Sequence, residues 1–579
     1  MSTKGKCTPP WYEQTVPEGT YRSLFKWGAP DQFKHPNSAL VRLMQETFDL
    51  NCSDMMVPED LALDKVEIDV PVNLDQKHID KFIEICGAEN VRTDTYSRID
   101  RSYGGGMIDA LRLRKHIVEN IADVVVAPRS QAEVERLVAY CCENKIPVYV
   151  YGGGSSVTRG TEAVKGGISI DMSQHMNKVV RFNEVDQTIT VEAGMSGPDL
   201  EKLLNHAPET LGAKRAYTCG HFPQSFEYST VGGWVVTRGA GQNSTYYGKI
   251  EDIVIAQEYV TPKGVFKTLE IPRCSTGPDF DQIMMGSEGT FGVLCNVTLR
   301  LSRYMPQNRR RFSYMFKDWQ EAREACREVM QSEFGFPSVF RLSDPEETDV
   351  ALKLYHIEGT IADTFLKGIG YKPGERCLML GHTEGERGFS AHVNAKIHQI
   401  CVKHGAFDIS IAPVTSNWEK GRFRDPYMRE DLQDYGILTD TLECAVPWSK
   451  MEEVHASVRA FIKSRPQTIC MTHLSHAYPQ GGNLYFIFIA KISTIKEYLD
   501  LQYGILEAIQ KSGAAMSHHH GVGKQTSPWL EGQIGKAQMD VVRSLKHHFD
   551  PDNLMNPGGT LGLDMSEEQK EKRWSKNLS

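Results

Sequence analysis

Two textures alternate along the chain. Between residues 122 and 302, short β-branched runs are separated by stretches whose apolar positions recur with helical spacing. Residues 123–127 (DVVVA) predict a buried strand that Pro128-Arg129 ends. Ser130 and Glu133 then make a capping-box pair, and Val134, Leu137, Val138 and Cys141 fall on one helical face. Residues 146–151 (IPVYVY) predict the next strand, which runs straight into Gly152-Gly153-Gly154. Further strands are expected at 167–171, 188–192, 253–260 and 291–301, so the segment to about 302 reads as one α+β domain.

A second domain starts near residue 303 and is expected to run to 564. Helices are expected at 392–404, 451–463 and 495–511, and strands at 376–380, 468–473 and 483–492. This alternation predicts an antiparallel sheet with helices on one face. The first 115 residues are polar and punctuated by proline, with a helix expected over 75–89; they read as an N-terminal helical extension without a legible functional motif. Residues 565–579 form a charged tail expected to fray.

Composition narrows the function classes. A chain of 579 residues that is 40% hydrophobic and 24% charged is ordinary globular protein. A formal net charge of −9, with no Lys/Arg block interleaved with aromatics, argues against a nucleic-acid partner. The 13 cysteines form no CxxC pair, and Cys141-Cys142 falls inside a helical pattern, so they read as apolar fillers in a reducing compartment. The N-terminus has no apolar signal-like stretch, and runs such as 484–490 are too short to span a bilayer. A cytoplasmic protein is expected, with peripheral membrane contact left open.

Three glycines after a strand let a backbone approach a ligand closely, and successive N–H groups pointing one way make a concave anion site. Here Tyr151 leads into Gly152, Gly153 and Gly154, and Ser155 and Ser156 add hydroxyls. The loop does not form GxGxxG at a helix start, so it is not a nicotinamide-cofactor fingerprint. Two more loops of similar composition follow, one over 229–241 (STVGGWVVTRGAG) and one over 285–292 (MGSEGTFG). Together they can wrap a long, two-phosphate ligand.

In order and spacing, YGGGSSVTRG, ISIDMSQ, VEAGMSGPDLEKLL, STVGGWVVTRGAGQNSTYYGKIEDIV, STGPD and MGSEGTFGV resemble the FAD-binding domain of the vanillyl-alcohol oxidase and para-cresol methylhydroxylase superfamily over residues 116–302. The resemblance implies a two-part FAD-binding domain of α+β class followed by a cap domain that returns to it at the C-terminus. It also implies that Tyr151 and Gly152 to Ser156 bind the pyrophosphate. Ser225, Ser229, Thr230, Gly232 and Gly233, then Thr237, Gly241 and Asn243, then Glu288, Gly289, Gly292 and Val293, would line the rest of the FAD. Some members tether the flavin through His or Cys in the first loop; GGGSS offers neither, so non-covalent FAD is expected.

Three adjacent imidazoles, His518, His519 and His520, stand before Gly521 in SHHHGVGK. Neutral imidazoles near pH 7 take or give protons, as a reaction beside a flavin requires. Within the superfamily this form is similar to the alkylglycerone-phosphate synthases, as a prokaryote-like variant. Those enzymes exchange the acyl chain of acyl-dihydroxyacetone phosphate for a fatty alcohol through an adduct at the flavin N5. Carried over position by position, the resemblance implies catalytic roles for Tyr478, for Arg429, 19 residues before Trp448, and for Arg341 in PSVFRLSD. A guanidinium suits a phosphate or carboxylate.

His473 and His476 depart from the animal-type synthase pattern and resemble a metal-ligand stretch of the hydroxy-acid dehydrogenase branch, with Tyr485 in place of its last His. At i and i+3 in a strand they are expected to face opposite sides, and no metal is assigned. A dehydrogenase or oxidase of a 2-hydroxy acid or polyol, passing electrons to a carrier protein, quinone or oxygen, stays open as the alternative. The partner in either case is a small phosphate- or carboxylate-bearing molecule, lipid-like in the first, and a homodimer is the family's common state.

Overall fold

The computed structural model describes residues 7–572. Residues 1–6 of the N-terminal extension and 573–579 of the charged tail lie outside the described residues, and Glu567–Lys570 is a short helix within that tail.

In the half expected to bind FAD, Ser130 caps the Gln131–Asn144 helix by accepting from the Glu133 N–H, and Val134, Leu137, Val138 and Cys141 are buried as the spacing predicts. That face shares one core with a four-stranded sheet ordered Val91–Arg92, Val124–Val126, Ile168–Asp171, Val148–Tyr151. Val124–Val126 and Val148–Tyr151 both run parallel to Ile168–Asp171. A parallel strand end followed by a loop is where such sheets place ligands. The second sheet is antiparallel, ordered Val179–Asn183, Thr188–Glu192, Val293–Arg300, Val254–Thr261, Gly264–Lys267.

The cap holds a seven-stranded antiparallel sheet ordered Phe407–Asp408, Arg310–Phe316, Cys377–Thr383, Val339–Ser343, Thr468–Tyr478, Gly481–Lys491, Ile437–Pro447. Successive side chains of a strand point to opposite faces. Cys470 and Leu474, with Leu484, Phe486, Phe488 and Ala490, therefore join the core made with the helices Trp319–Gln331, Arg387–Lys403, Met451–Ser464 and Ile495–Lys511. The alternate positions Met471, His473, Tyr485, Ile487 and Ile489 line a cavity. The strands at 310–316, 339–343, 407–408 and 437–447 escaped the sequence reading. In the last of these, ILTDTLECAVP, cavity-facing polar residues interrupt the apolar run.

The polar N-terminal segment is packed across the cap. Asn37 caps the Ser38–Phe48 helix and donates to the Leu354 carbonyl at 3.0 Å. Leu40, Met44 and Phe48 of that helix pack with Val350, Leu432, Met471 and Ile489. Arg22 and Arg114 both reach Asp434, at 2.8 and 2.9 Å. At the other end, the Val148 N–H donates to the Leu554 carbonyl and the Asn556 N–H to the Val148 carbonyl, which returns the chain to the strand before the first glycine loop. Among the described residues no helix is long and apolar enough to cross a membrane.

Candidate functional site

A cavity of about 600 Å³ runs between the FAD-binding half and the cap. The first glycine loop forms one wall. A Cβ on Gly153 would lie 2.0 Å from the Tyr228 carbonyl oxygen, and Gly154 has φ +66°, so neither position admits a side chain without movement of the loop or its neighbours. Among the described residues the backbone N–H groups of 153–157 have no hydrogen-bond partner within the protein. On the same cavity wall, Gln242 Oε1 and Thr161 Oγ1 are buried without a partner. Buried polar groups are normally paired, so this wall fits a ligand with phosphates and polar edges, as FAD has.

Of the expected cofactor residues, Tyr151 to Ser156, Ser225, Thr230, Gly232, Gly233, Thr237, Glu288, Gly289 and Gly292 line the cavity. Ser229, Gly241, Asn243 and Val293 stand behind its wall. There Ser229 Oγ accepts from the Trp234 indole at 2.8 Å, and Gly241 closes on the Phe222 backbone. The Glu288 carboxylate accepts the N–H groups of Val522 and Gly523 at 2.6 Å each. Burial pushes its pKa up to about 7.

The histidine loop hangs from a second buried carboxylate. Glu443 Oε2 accepts the His518 N–H at 2.7 Å, while Oε1 accepts the N–H groups of His519 and His520 at 3.0 Å and the Ser517 hydroxyl at 2.8 Å. Lys249 Nζ donates to the His518 carbonyl at 2.8 Å. Backbone demand is thereby met without the rings, which are left to one another. Tyr478 Oη lies 3.0 Å from His518 Nε2 and 3.1 Å from Ser244 Oγ, and His518 Nδ1 lies 3.1 Å from His519 Nδ1.

One proton serves each contact. If the phenol donates to His518 Nε2, His518 carries its hydrogen on Nδ1 and gives it to His519 Nδ1, and the opposite polarity reverses both. The result is a hydrogen-bonded chain of Ser244, Tyr478, His518 and His519 with the geometry to relay a proton. Burial, with the neighbouring imidazoles and Lys249, depresses the pKa values of His518 and His519 well below the usual imidazole range. Both are neutral at pH 7 and able to accept a proton. Depressed values shift protonation to lower pH, so the acid limb of kcat/KM should fall well below 6.5. An acid limb centred at or above 6.5 in a profile from pH 4.5 to 8.5 would contradict this placement.

His473 and His476 differ from expectation. The Thr468–Tyr478 strand bulges between Ser475 and Tyr478, and His476 has φ +50°, so the alternation is shifted by one and both rings line the same cavity. The His476 ring stacks on His519 at 4.9 Å and that of His473 on Tyr485 at 4.9 Å. Glu347 faces His473 Nδ1 at 3.1 Å and pairs with Arg341. Burial alone would raise the Glu347 carboxyl, but His473 and Arg341 hold it down to about 2. Arg429, also on the cavity wall, spends Nε on Glu430 at 2.7 Å and its two terminal nitrogens on the carbonyls of Gly105 at 2.6 Å and Phe25 at 3.1 Å. Glu443, His519 and His520 bring potential metal-ligand atoms within 4.8 Å of one another, although both Glu443 oxygens already serve the loop.

Sequence reasoning missed Glu443, Ser244 and Lys249, and the contribution of Trp27, His35 and Leu40 to the cavity wall. Glu443 shares its strand with a second carboxylate, Asp440, so no local signal singled it out.

The FAD binding domain family matches residues 122–270, and the C-terminal domain family of FAD linked oxidases matches residues 305–560. An alkyldihydroxyacetonephosphate synthase of Dictyostelium discoideum is 29% identical over 537 residues, covering 88% of this chain and 85% of its own length. The uncharacterized FAD-linked oxidoreductase YgcU of Escherichia coli O157:H7 is 28% identical over 83% of this chain and 97% of its own. A solved alkyldihydroxyacetonephosphate synthase structure superposes with a TM-score of 0.72 at 27% identity, over 85% of this chain and 86% of that one.

Proposed function

The chain belongs to the vanillyl-alcohol oxidase and para-cresol methylhydroxylase superfamily of FAD-dependent enzymes, and on that premise we propose that it exchanges the acyl chain of an acyl-dihydroxyacetone phosphate for a fatty alcohol. The observation that carries this reading is the change of character along the cavity floor. His473, Tyr485 and Glu443 share one rung across three strands. On the next rungs Met471 and Ile487 stand beside Thr441, and Ile489 beside Thr439, all of them lining the cavity. Each such step advances about 7 Å along the strands. The Met471, Ile487 and Ile489 side of this floor is apolar, the Thr439 to Thr441 side is polar, and Leu40, Val350, Leu354 and Leu432 roof it. Such an arm suits an alkyl chain, since each buried methylene contributes about 0.8 kcal/mol. A 2-hydroxy acid has no use for it.

FAD, when bound, supplies an electron-accepting ring. The 152–156 loop would hold its pyrophosphate through backbone N–H groups. In the exchange, the C–O bond to the departing carboxylate breaks and a C–O bond to the alcohol oxygen forms. The alcohol proton passes to the neutral relay through His519, its cavity-lining member, and from there to the released acid, with no net change of oxidation state. The apolar arm holds first the acyl and then the alkyl chain.

The same imidazoles would take the hydroxyl proton of a 2-hydroxy acid, and the likeness to an FAD-linked oxidoreductase keeps that second reading. Two measurements separate them. With palmitoyl-dihydroxyacetone phosphate, fatty acid should be released only when hexadecanol is added, and failure with fully flavin-loaded protein sinks the synthase reading. Anaerobic bleaching of the flavin by D-lactate or another 2-hydroxy acid supports the dehydrogenase.

A further inference from the structure

Three arginines line the cavity, Arg341, Arg422 and Arg429. A cation in such a place needs a partner, because an unpaired charge away from bulk water is costly. Arg341 has one in Glu347, and Arg429 has three in Glu430, Gly105 and Phe25. Arg422 is different. Among the described residues its guanidinium makes one hydrogen bond, from Nη1 to Asn243 Oδ1 at 3.0 Å, and no carboxylate is in contact with it, since Glu384 and Glu419, which act on it at longer range, pair with Arg309 and Arg311.

We propose that Arg422 holds the anionic end of the substrate, in preference to Arg429 and Arg341. This rests on the reading of the cavity as the substrate site. The guanidinium carbon lies 4.6 Å from the ring centre of Phe423, 5.2 Å from that of Phe222 and 5.6 Å from that of Trp418. Aromatic faces favour the cation and limit its rotation, so its free N–H groups form a fixed fork. Burial and nearby Arg309 lower its pKa to about 10, which leaves it fully charged at neutral pH.

Its place relative to the relay is set by adjacent residues. Asn243 meets Arg422, and the next residue, Ser244, meets Tyr478, which meets His518. An oxyanion on the fork is thus held one residue away from the relay. Phosphate monoesters and carboxylates share the planar pair of oxygens that such a fork recognises, so either chemistry is admitted.

The test uses flavin-loaded protein, with the flavin visible spectrum as the binding signal. Dihydroxyacetone phosphate, D-lactate and neutral dihydroxyacetone are titrated into the native protein, Arg422→Gln and Arg422→Lys. Arg422→Gln should weaken the bound anion by at least about tenfold, the scale of one charge-assisted hydrogen bond, and leave dihydroxyacetone unchanged. Arg422→Lys should recover part of the loss at unchanged flavin content and melting temperature. If the native protein binds D-lactate but not the phosphate, and Arg422→Gln loses it, the synthase reading fails while the role of Arg422 stands. Equal anion affinity in Arg422→Gln, loss of flavin from both variants, or a native protein that binds neither anion overturns it.

Discussion

His519→Ala should lower kcat by about 10²–10⁴-fold, the usual contribution of a positioned acid–base group, while the purified protein stays yellow. The ring of His519 is the cavity-lining member of the relay, 3.1 Å from His518, and it stacks against His476 at 4.9 Å. Alanine deletes both contacts. It keeps the backbone N–H that Glu443 accepts, so the loop retains its course. None of the three glycine loops uses the His519 side chain for support, and flavin absorbance should match that of the native protein. The effect should appear with whichever substrate proves active, because exchange and dehydrogenation both need the proton moved. Normal turnover would remove His519 from the relay, and a colourless variant would place it in cofactor binding.

Glu443→Ala should have the largest effect on stability. It strips three backbone N–H groups and the Ser517 hydroxyl of their acceptor, inside a region where water does not replace it readily. Each buried donor left unsatisfied costs roughly 1–3 kcal/mol, and with partial relaxation a loss of about 3–5 kcal/mol is expected. Activity should vanish with the loop's geometry. Glu443→Gln keeps the volume and one acceptor oxygen and should fall between the two. Urea unfolding followed by tryptophan fluorescence reads the difference. A Glu443→Ala protein within 1 kcal/mol of native stability would show that the carboxylate does not hold the loop.

The inner strands of the FAD-binding half were legible as β-branched runs, and its Gln131–Asn144 helix by its cap, with the expected 188–192 strand found as Thr188–Glu192, but the outer strands Val179–Asn183 and Gly264–Lys267, largely exposed, were not expected. The cap was half legible. Ile437–Pro447 alternates buried apolar with cavity-facing polar residues, which reads as loop when the cavity is unknown. The histidine run announced itself, but of its two carboxylate anchors Glu288 was expected only to line the flavin and Glu443 was not expected at all. Glu443 lies 75 residues or more from the N–H groups it binds, and Glu288 lies 234 from Val522. Nor does local sequence record that Arg429 is engaged by Phe25, 404 residues away, while Arg422 is left with one amide. Periodicity reports what a residue's own element buries. It cannot report which distant backbone consumes a donor.

The histidine loop is held at its two ends by carboxylates from different cores: Glu288 follows the FAD-binding half, and Glu443 follows the cap sheet. The imidazoles reach their working positions only when both halves are in alignment, so the loop acts as a mechanical coincidence device. A slip at that seam by the length of one hydrogen bond releases one anchor while both cores stay folded. The placement of the imidazoles thus depends on both halves at once, because each supplies one of the loop's two carboxylate anchors.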